Sequence, residues 1–180
     1  MQEVIKIPKV HNIKKGPSLK WKFYRFTKDK ENPGSSIICN FNGKLFISLA
    51  KQIPGQNSIN PKTKNSVELS TLHIAKILDI LERPNEPTKG MAIKVIAPNL
   101  SSNMFMLMYH QLPLQRLLKI GIAVIPETYQ IPNTENFKPE FGSAYVEISL
   151  INEQITCFKY FLDECLRASF YISALRNFGR

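Results

Sequence analysis

In the stretch LKWKFYRFT (19–27) cations alternate with aromatic rings. Lys and Arg neutralise phosphates, and ring faces stack on unpaired bases at roughly 1–3 kcal/mol per base, so the pattern suits a single-stranded nucleic acid. Read as a strand, the segment places Lys20, Lys22, Tyr24 and Phe26 on one side and Trp21, Phe23, Arg25 and Thr27 on the other. A half-buried strand must also turn one set of rings toward a core. Lys20, Lys22 and Tyr24 are therefore read as ligand-facing, Arg25 as a further phosphate contact, and Trp21 and Phe23 as packing residues.

The same test picks out single residues in other strands. KLFISLA (44–50) turns Leu45, Ile47 and Leu49 to one side, as a core requires, and leaves Lys44, Phe46 and Ser48 on the other. A phenylalanine between Lys and Ser can receive a base, and Lys44 a phosphate. Lys94 in MAIKVIA and Lys119 in LLKIGIA interrupt apolar strands at outward positions. Each is either a phosphate contact or a solvated lysine that guards a sheet edge. In NMFMLMYH (103–110) both alternating sets are apolar, which predicts an interior or covered strand.

No residue set for covalent chemistry emerges. His11, His73 and His110 fall in three settings, and no nucleophile elbow, phosphate-cradling glycine loop or metalloprotease motif occurs. Cys39, Cys157 and Cys165 form no C-x-x-C pair, so neither a disulfide framework nor a zinc site is signalled. Glu164 stands beside Cys165, but that cysteine lies on an apolar helical stripe and reads as a buried thiol. The expectation is a protein that is not an enzyme, with no catalytic residues, no metal and no cofactor. Its 24 Lys and Arg against 14 Asp and Glu give a formal net charge of +10, which favours a polyanionic partner. With no signal peptide and no apolar run of about 18 residues, no membrane segment is expected and the reading is intracellular, compartment open.

The elements that must position these residues repeat. The arm 1–17 closes at Lys14-Lys15-Gly16-Pro17. Strands follow at 19–27, 35–41 and 44–53, the last two joined through Asn42-Gly43, a dipeptide suited to a two-residue hairpin turn. A polar loop leads to NSVEL (65–69), and Ser70 can cap a helix over 71–82 that Pro84 stops. RPNEPTKG (83–90) reads as a linker. Strands over 91–98, 103–111 and 116–126 come next, then a Pro- and Asn-rich loop (127–142). Ser149 is placed as the cap of a long helix reaching about 177, with Ile151, Ile155, Phe158, Leu162, Cys165 and Ile172 on one face. VELS (67–70) and VEIS (146–149) thus mark matching strand-to-helix junctions. The predicted class is α+β, two β4α repeats spanning 19–83 and 90–178 within one domain, 18–180.

This order of elements resembles the Whirly-type single-stranded DNA-binding fold, shared with kinetoplastid guide-RNA-binding proteins. The Whirly motif Lys-Gly-Lys-Ala-Ala-Leu-Ser-Val is approached by Asn42-Gly43-Lys44-Leu45-Phe46-Ile47-Ser48-Leu49, and Leu69-Ser70 followed by Ile74 is similar to that family's strand-to-helix junction. Asn42 replaces the first lysine, and Leu45 and Phe46 replace the alanines. The resemblance implies sequence-tolerant binding of single-stranded DNA or RNA, with Lys44 carried over by motif position, and homo-oligomeric assembly into tetramers through the helices. A second reading takes the chain as a scaffold subunit of a viral or organellar ribonucleoprotein, with the apolar helix stripe as its partner surface.

Overall fold

Period-two patterning decides which side of each strand meets the core, and the computed structural model of the chain gathers the strands into two sheets. It describes residues 18–82, 88–96, 102–125 and 145–178. The arm 1–17 with His11, the loop 127–142 and residues 83–87 of the expected linker lie outside the described residues. Strands β1 (Leu19–Arg25), β2 (Ser35–Phe41), β3 (Leu45–Lys51) and β4 (Asn65–Leu69) form an antiparallel sheet in that order, and α1 (Thr71–Glu82) follows. Strands β5 (Thr88–Ile96), β6 (Ser102–Gln111), β7 (Arg116–Ile125) and β8 (Tyr145–Ile151) form a second, also antiparallel and in sequence order, and α2 (Glu153–Phe178) follows. The chain is α+β, with the β4α unit written twice.

One core joins the two units. Ile37, Phe41, Ile47 and Leu69 from the first sheet and Phe105, Leu107, Ile120 and Ile148 from the second are buried in a single cluster. Ile74 and Ile77 of α1 and Ile155, Phe158, Leu162 and Cys165 of α2 complete it. The apolar stripe of α2 is therefore core rather than the partner surface of the scaffold reading, because both sheets need that face to leave water. Burying a ring such as Phe158 contributes about 1.5–3 kcal/mol. Trp21 packs as expected, its ring 5.3 Å from that of Phe158. Burial, assisted by Glu164, pushes the Cys165 thiol up to about 12, so it stays protonated and unreactive. Polar contacts also tie the sheets: Asn65 Nδ2 donates to Ile122 O, Asn103 Nδ2 to Ser66 O and Ser35 Oγ to Glu147 O.

β6 is an interior strand. Met104 and Phe105, on its opposite sides, are both fully buried, and Met104, Met106, Ala123 and Ile125 make a second, smaller apolar cluster.

Three junctions differ from the sequence reading. Phe41 pairs with Leu45, so the β2–β3 loop holds three residues, Asn42, Gly43 and Lys44, with Gly43 at φ 95° where a side chain is disfavoured. Thr88, Lys89 and Gly90, expected in the linker, pair with His110, Tyr109 and Met108. The long β6 presents backbone groups there that need partners.

The third concerns the echo of VELS and VEIS. Ser70 caps α1 as expected: its Oγ accepts from His73 N at 3.4 Å, and His73 Nδ1 accepts from Ser70 N at 3.3 Å. This is a reciprocal capping box with His as the returning acceptor. Burial and then Lys76 lower the His73 pKa, which keeps Nδ1 unprotonated for that role. Ser149 caps nothing. It is still in β8, opposite Lys119, and β8 continues until Ile151 pairs with Leu117. The turn falls on Asn152 at φ 40°, a conformation asparagine tolerates, and Thr156 N donates to Asn152 O to begin α2. Ile151, placed on the helix by its spacing, is the last residue of the strand.

Candidate nucleic-acid interface

β1 lies at the edge of its sheet and keeps the alternation read from its sequence. Leu19, Trp21 and Phe23 pack against the core, while Lys20, Lys22 and Tyr24 are exposed. Tyr24 and Phe26 are 41 % and 37 % exposed with ring centroids 5.6 Å apart, so the line of cations ends in a pair of touching rings. Arg25 belongs by alternation to the core side. At the strand's end, past the packed rings, it is exposed instead. Among the described residues, neither Lys20, Lys22 nor Arg25 forms a salt bridge.

The other predicted residues divide between two surfaces. Register puts Lys20, Asn40, Phe46 and Glu68 in one row across the first sheet, with Phe46 half-buried. Lys44, in the adjoining loop, reaches the same row and places Nζ 2.6 Å from Glu68 Oε1. A phosphate at Lys44 would compete with that carboxylate. Lys94 and Lys119 lie on the second sheet: Lys94 is exposed on the edge strand β5 opposite Met104, and Lys119 is half-buried in β7 between Met108 and Ser149. The eight residues thus form a compact stripe of Lys20, Lys22 and Tyr24 ending at Arg25, a row holding Lys44 and Phe46, and two lysines on the other sheet.

Where the stripe ends, a cleft of about 520 Å³ opens between the β1–β2 turn and β8. Arg25, Phe26, Asp29 and Asn32 line one wall, and Glu147 and Ser149 the other. The turn is built by Gln52, which is 1 % exposed. Its Oε1 accepts from Thr27 N and Gly34 N at 2.9 and 2.8 Å, and its Nε2 donates to Thr27 O and Gln56 O at 2.8 and 2.6 Å. The Asp29 carboxylate accepts from Asn32 Nδ2, Glu31 N and Asn32 N, bonds that hold it ionised below the usual carboxylate range. Two residues before Glu147 in β8, Tyr145 donates its hydroxyl to Glu147 Oε2 at 2.6 Å. Burial, then that carboxylate, raises the Tyr145 pKa, so the phenol remains a donor.

Gly121, the register partner of Glu147, leaves the space in which the Tyr145 ring lies. A Cβ there would meet Tyr145 Oη at 2.5 Å and its ring carbons at 2.7 and 2.9 Å. Gly121→Ala is expected to lower stability by about 1–3 kcal/mol through overpacking. In Tyr145→Ala the same change should cost much less, and urea unfolding of the four proteins in the cycle measures the difference.

Sequence reading missed Gln52, Glu147 and Ser149. A glutamine at a strand end carries no signal of burial, and Ser149 reads from its neighbours as a helix cap. Phe26 could have been found, since it continues the Lys20–Tyr24 alternation. Among the described residues no group of three His, Cys, Asp or Glu is placed to hold a metal ion, and no helix is long and apolar enough to cross a membrane.

Two antiparallel four-stranded sheets, each followed by a helix, make a Whirly-like fold. The structure is similar to that of WHY3 from Arabidopsis thaliana, with a TM-score of 0.52 and 11 % identity over 88 % of this chain and 92 % of that one. It is also similar to the MRP1/MRP2 structure from a trypanosome, with a TM-score of 0.47 and 13 % identity over 84 % of each chain. No protein-family profile and no curated protein matches the sequence.

Proposed function

We propose that the chain is a non-enzymatic, largely sequence-tolerant binder of single-stranded nucleic acid, DNA or RNA. The observation that carries this reading is the division of labour along β1: Trp21 and Phe23 serve the core, while Lys20, Lys22, Tyr24 and Phe26 stay exposed in one line. Such a line tracks a phosphate backbone and offers rings to bases, and only an unpaired strand has base faces free to stack. Arg25 extends the cationic path. Lys44, Lys94 and Lys119 supply further phosphate contacts, Lys44 once it is released from Glu68, and Phe46 a second stacking position. The Whirly-type fold supports the same assignment. Exposed Tyr160, Phe170 and Tyr171 on α2 offer a surface for the proposed homo-oligomer, a tetramer by resemblance.

Binding to single-stranded DNA, single-stranded RNA and duplex, compared at two salt concentrations, tests this. Single strands should bind in preference to duplex and weaken about tenfold or more between roughly 50 and 200 mM salt as counterion release loses its advantage. Salt-insensitive binding, or none, overturns the proposal.

A further inference from the structure

The cleft beside the stripe has the wrong charge for a phosphate. Within a chain of net charge +10 it brings together two carboxylates, Asp29 and Glu147, and one cation, Arg25. A ligand group that enters must be neutral and rich in hydrogen-bond donors. The volume of about 520 Å³ lies in the range of small-molecule sites and admits one nucleotide.

The two carboxylates do different work. Asp29 has its oxygens engaged by Glu31 N, Asn32 N and Asn32 Nδ2 at 2.9–3.2 Å, and so shapes the turn. Glu147 accepts from Tyr145 at Oε2 alone among the described side chains, which leaves Oε1 and one lone pair of Oε2 for a ligand. That bond also fixes the carboxylate, because the Tyr145 ring is itself held over Gly121. The same cleft is lined by this pinned acceptor from β8 and by Phe26 from the segment that follows β1.

We infer that this cleft takes one base extruded from the bound strand, stacks it on Phe26 and selects guanine through Glu147. Guanine presents N1–H and N2–H side by side, and a carboxylate can accept both. Adenine and cytosine offer one amino group, beside a ring nitrogen acceptor. Thymine and uracil offer one imino N–H between two carbonyl oxygens that the carboxylate repels. The path is continuous: at about 3.3 Å per residue, Lys20 to Phe26 spans roughly 20 Å, so phosphates held at Lys20 and Lys22 lead a strand to the cleft. The inference rests on the proposed function, adding one selective position to a sequence-tolerant site.

Competition binding is measured with thymine strands of about twelve nucleotides, unmodified or carrying one central guanine, adenine or inosine. The guanine strand should bind about tenfold tighter than the others, and inosine, which lacks the N2 amino group, should lose that gain. Glu147→Gln should reduce the guanine advantage to about twofold or less; loss of a negative charge raises affinity for every strand alike, so the ratio of guanine to plain thymine strand is the readout. Equal, salt-sensitive affinity for all four strands overturns the inference and leaves the proposed function standing. Absence of binding to every strand overturns both. The inosine comparison requires no variant, so it decides even if Glu147→Gln does not fold.

Discussion

Gln52→Leu is expected to lower the unfolding free energy by about 4 kcal/mol, because a single buried amide satisfies four backbone groups. Thr27 N, Gly34 N, Thr27 O and Gln56 O all lose their partner, and leucine has about the volume to fill the site but no polar atom to offer. Each orphaned group costs about 1–3 kcal/mol when fully buried; water reaching the rim of the turn places the total toward the low end. Gln52→Glu should also destabilise. Its carboxylate can still accept from Thr27 and Gly34, but it cannot donate to the two carbonyls, and it buries a charge. Urea unfolding should show a lower midpoint at an unchanged slope for both variants. The consequence for binding follows from what the turn holds up. Phe26, Asp29 and Asn32 form one wall of the cleft, so any guanine preference should vanish in Gln52→Leu under conditions where it remains folded. Lys20 and Lys22 lie on a paired strand, and their salt-dependent affinity should persist.

How legible each part was depends on whether its cause is local. β4 and α1 were read to the residue, since NSVEL alternates, Ser70 can cap and Pro84 forbids continuation; all three are properties of neighbouring letters. The core side of β1 was legible for the same reason. Ser149 was misread because it has the same local setting as Ser70. What separates them is β7, ten residues long, which offers pairing partners to β8 as far as Ile151 and so delays the helix. Thr88 to Gly90 were misread likewise: a sequence rich in breakers was recruited as strand by a partner at His110 to Met108. On β1, the exposure of Lys20, Lys22 and Tyr24 was legible from alternation. Gln52 and Glu147 were not, because their roles come from segments that meet across the fold, 25 positions apart for Gln52 with Thr27 and 112 for Glu147 with Ser35.

Lys20→Gln with Lys22→Gln should weaken single-strand binding by about ten- to a hundredfold and reduce the salt slope by about 1.4, two phosphate contacts at about 0.7 each. The slope is the stronger discriminator. Removing two positive charges anywhere lowers the long-range attraction of a +10 chain, so affinity alone cannot locate a contact. Lys76→Gln with Arg167→Gln removes the same charge from the helices, and should reduce affinity modestly with little change in slope. Both pairs are exposed, and neither change should move the melting temperature by more than a degree or two, since surface substitutions cost within about 0.5 kcal/mol. Tyr24→Ala supplies the complementary result, a loss of about 1–3 kcal/mol of affinity with the salt slope intact, because stacking releases no counterion. If the slope follows the helix charges instead of the β1 lysines, the backbone runs elsewhere and β1 is an edge strand protected by lysine. If it follows Lys20 and Lys22 while Tyr24 sets the salt-independent part, phosphates and bases meet one face of one strand, as the alternation of LKWKFYRFT requires.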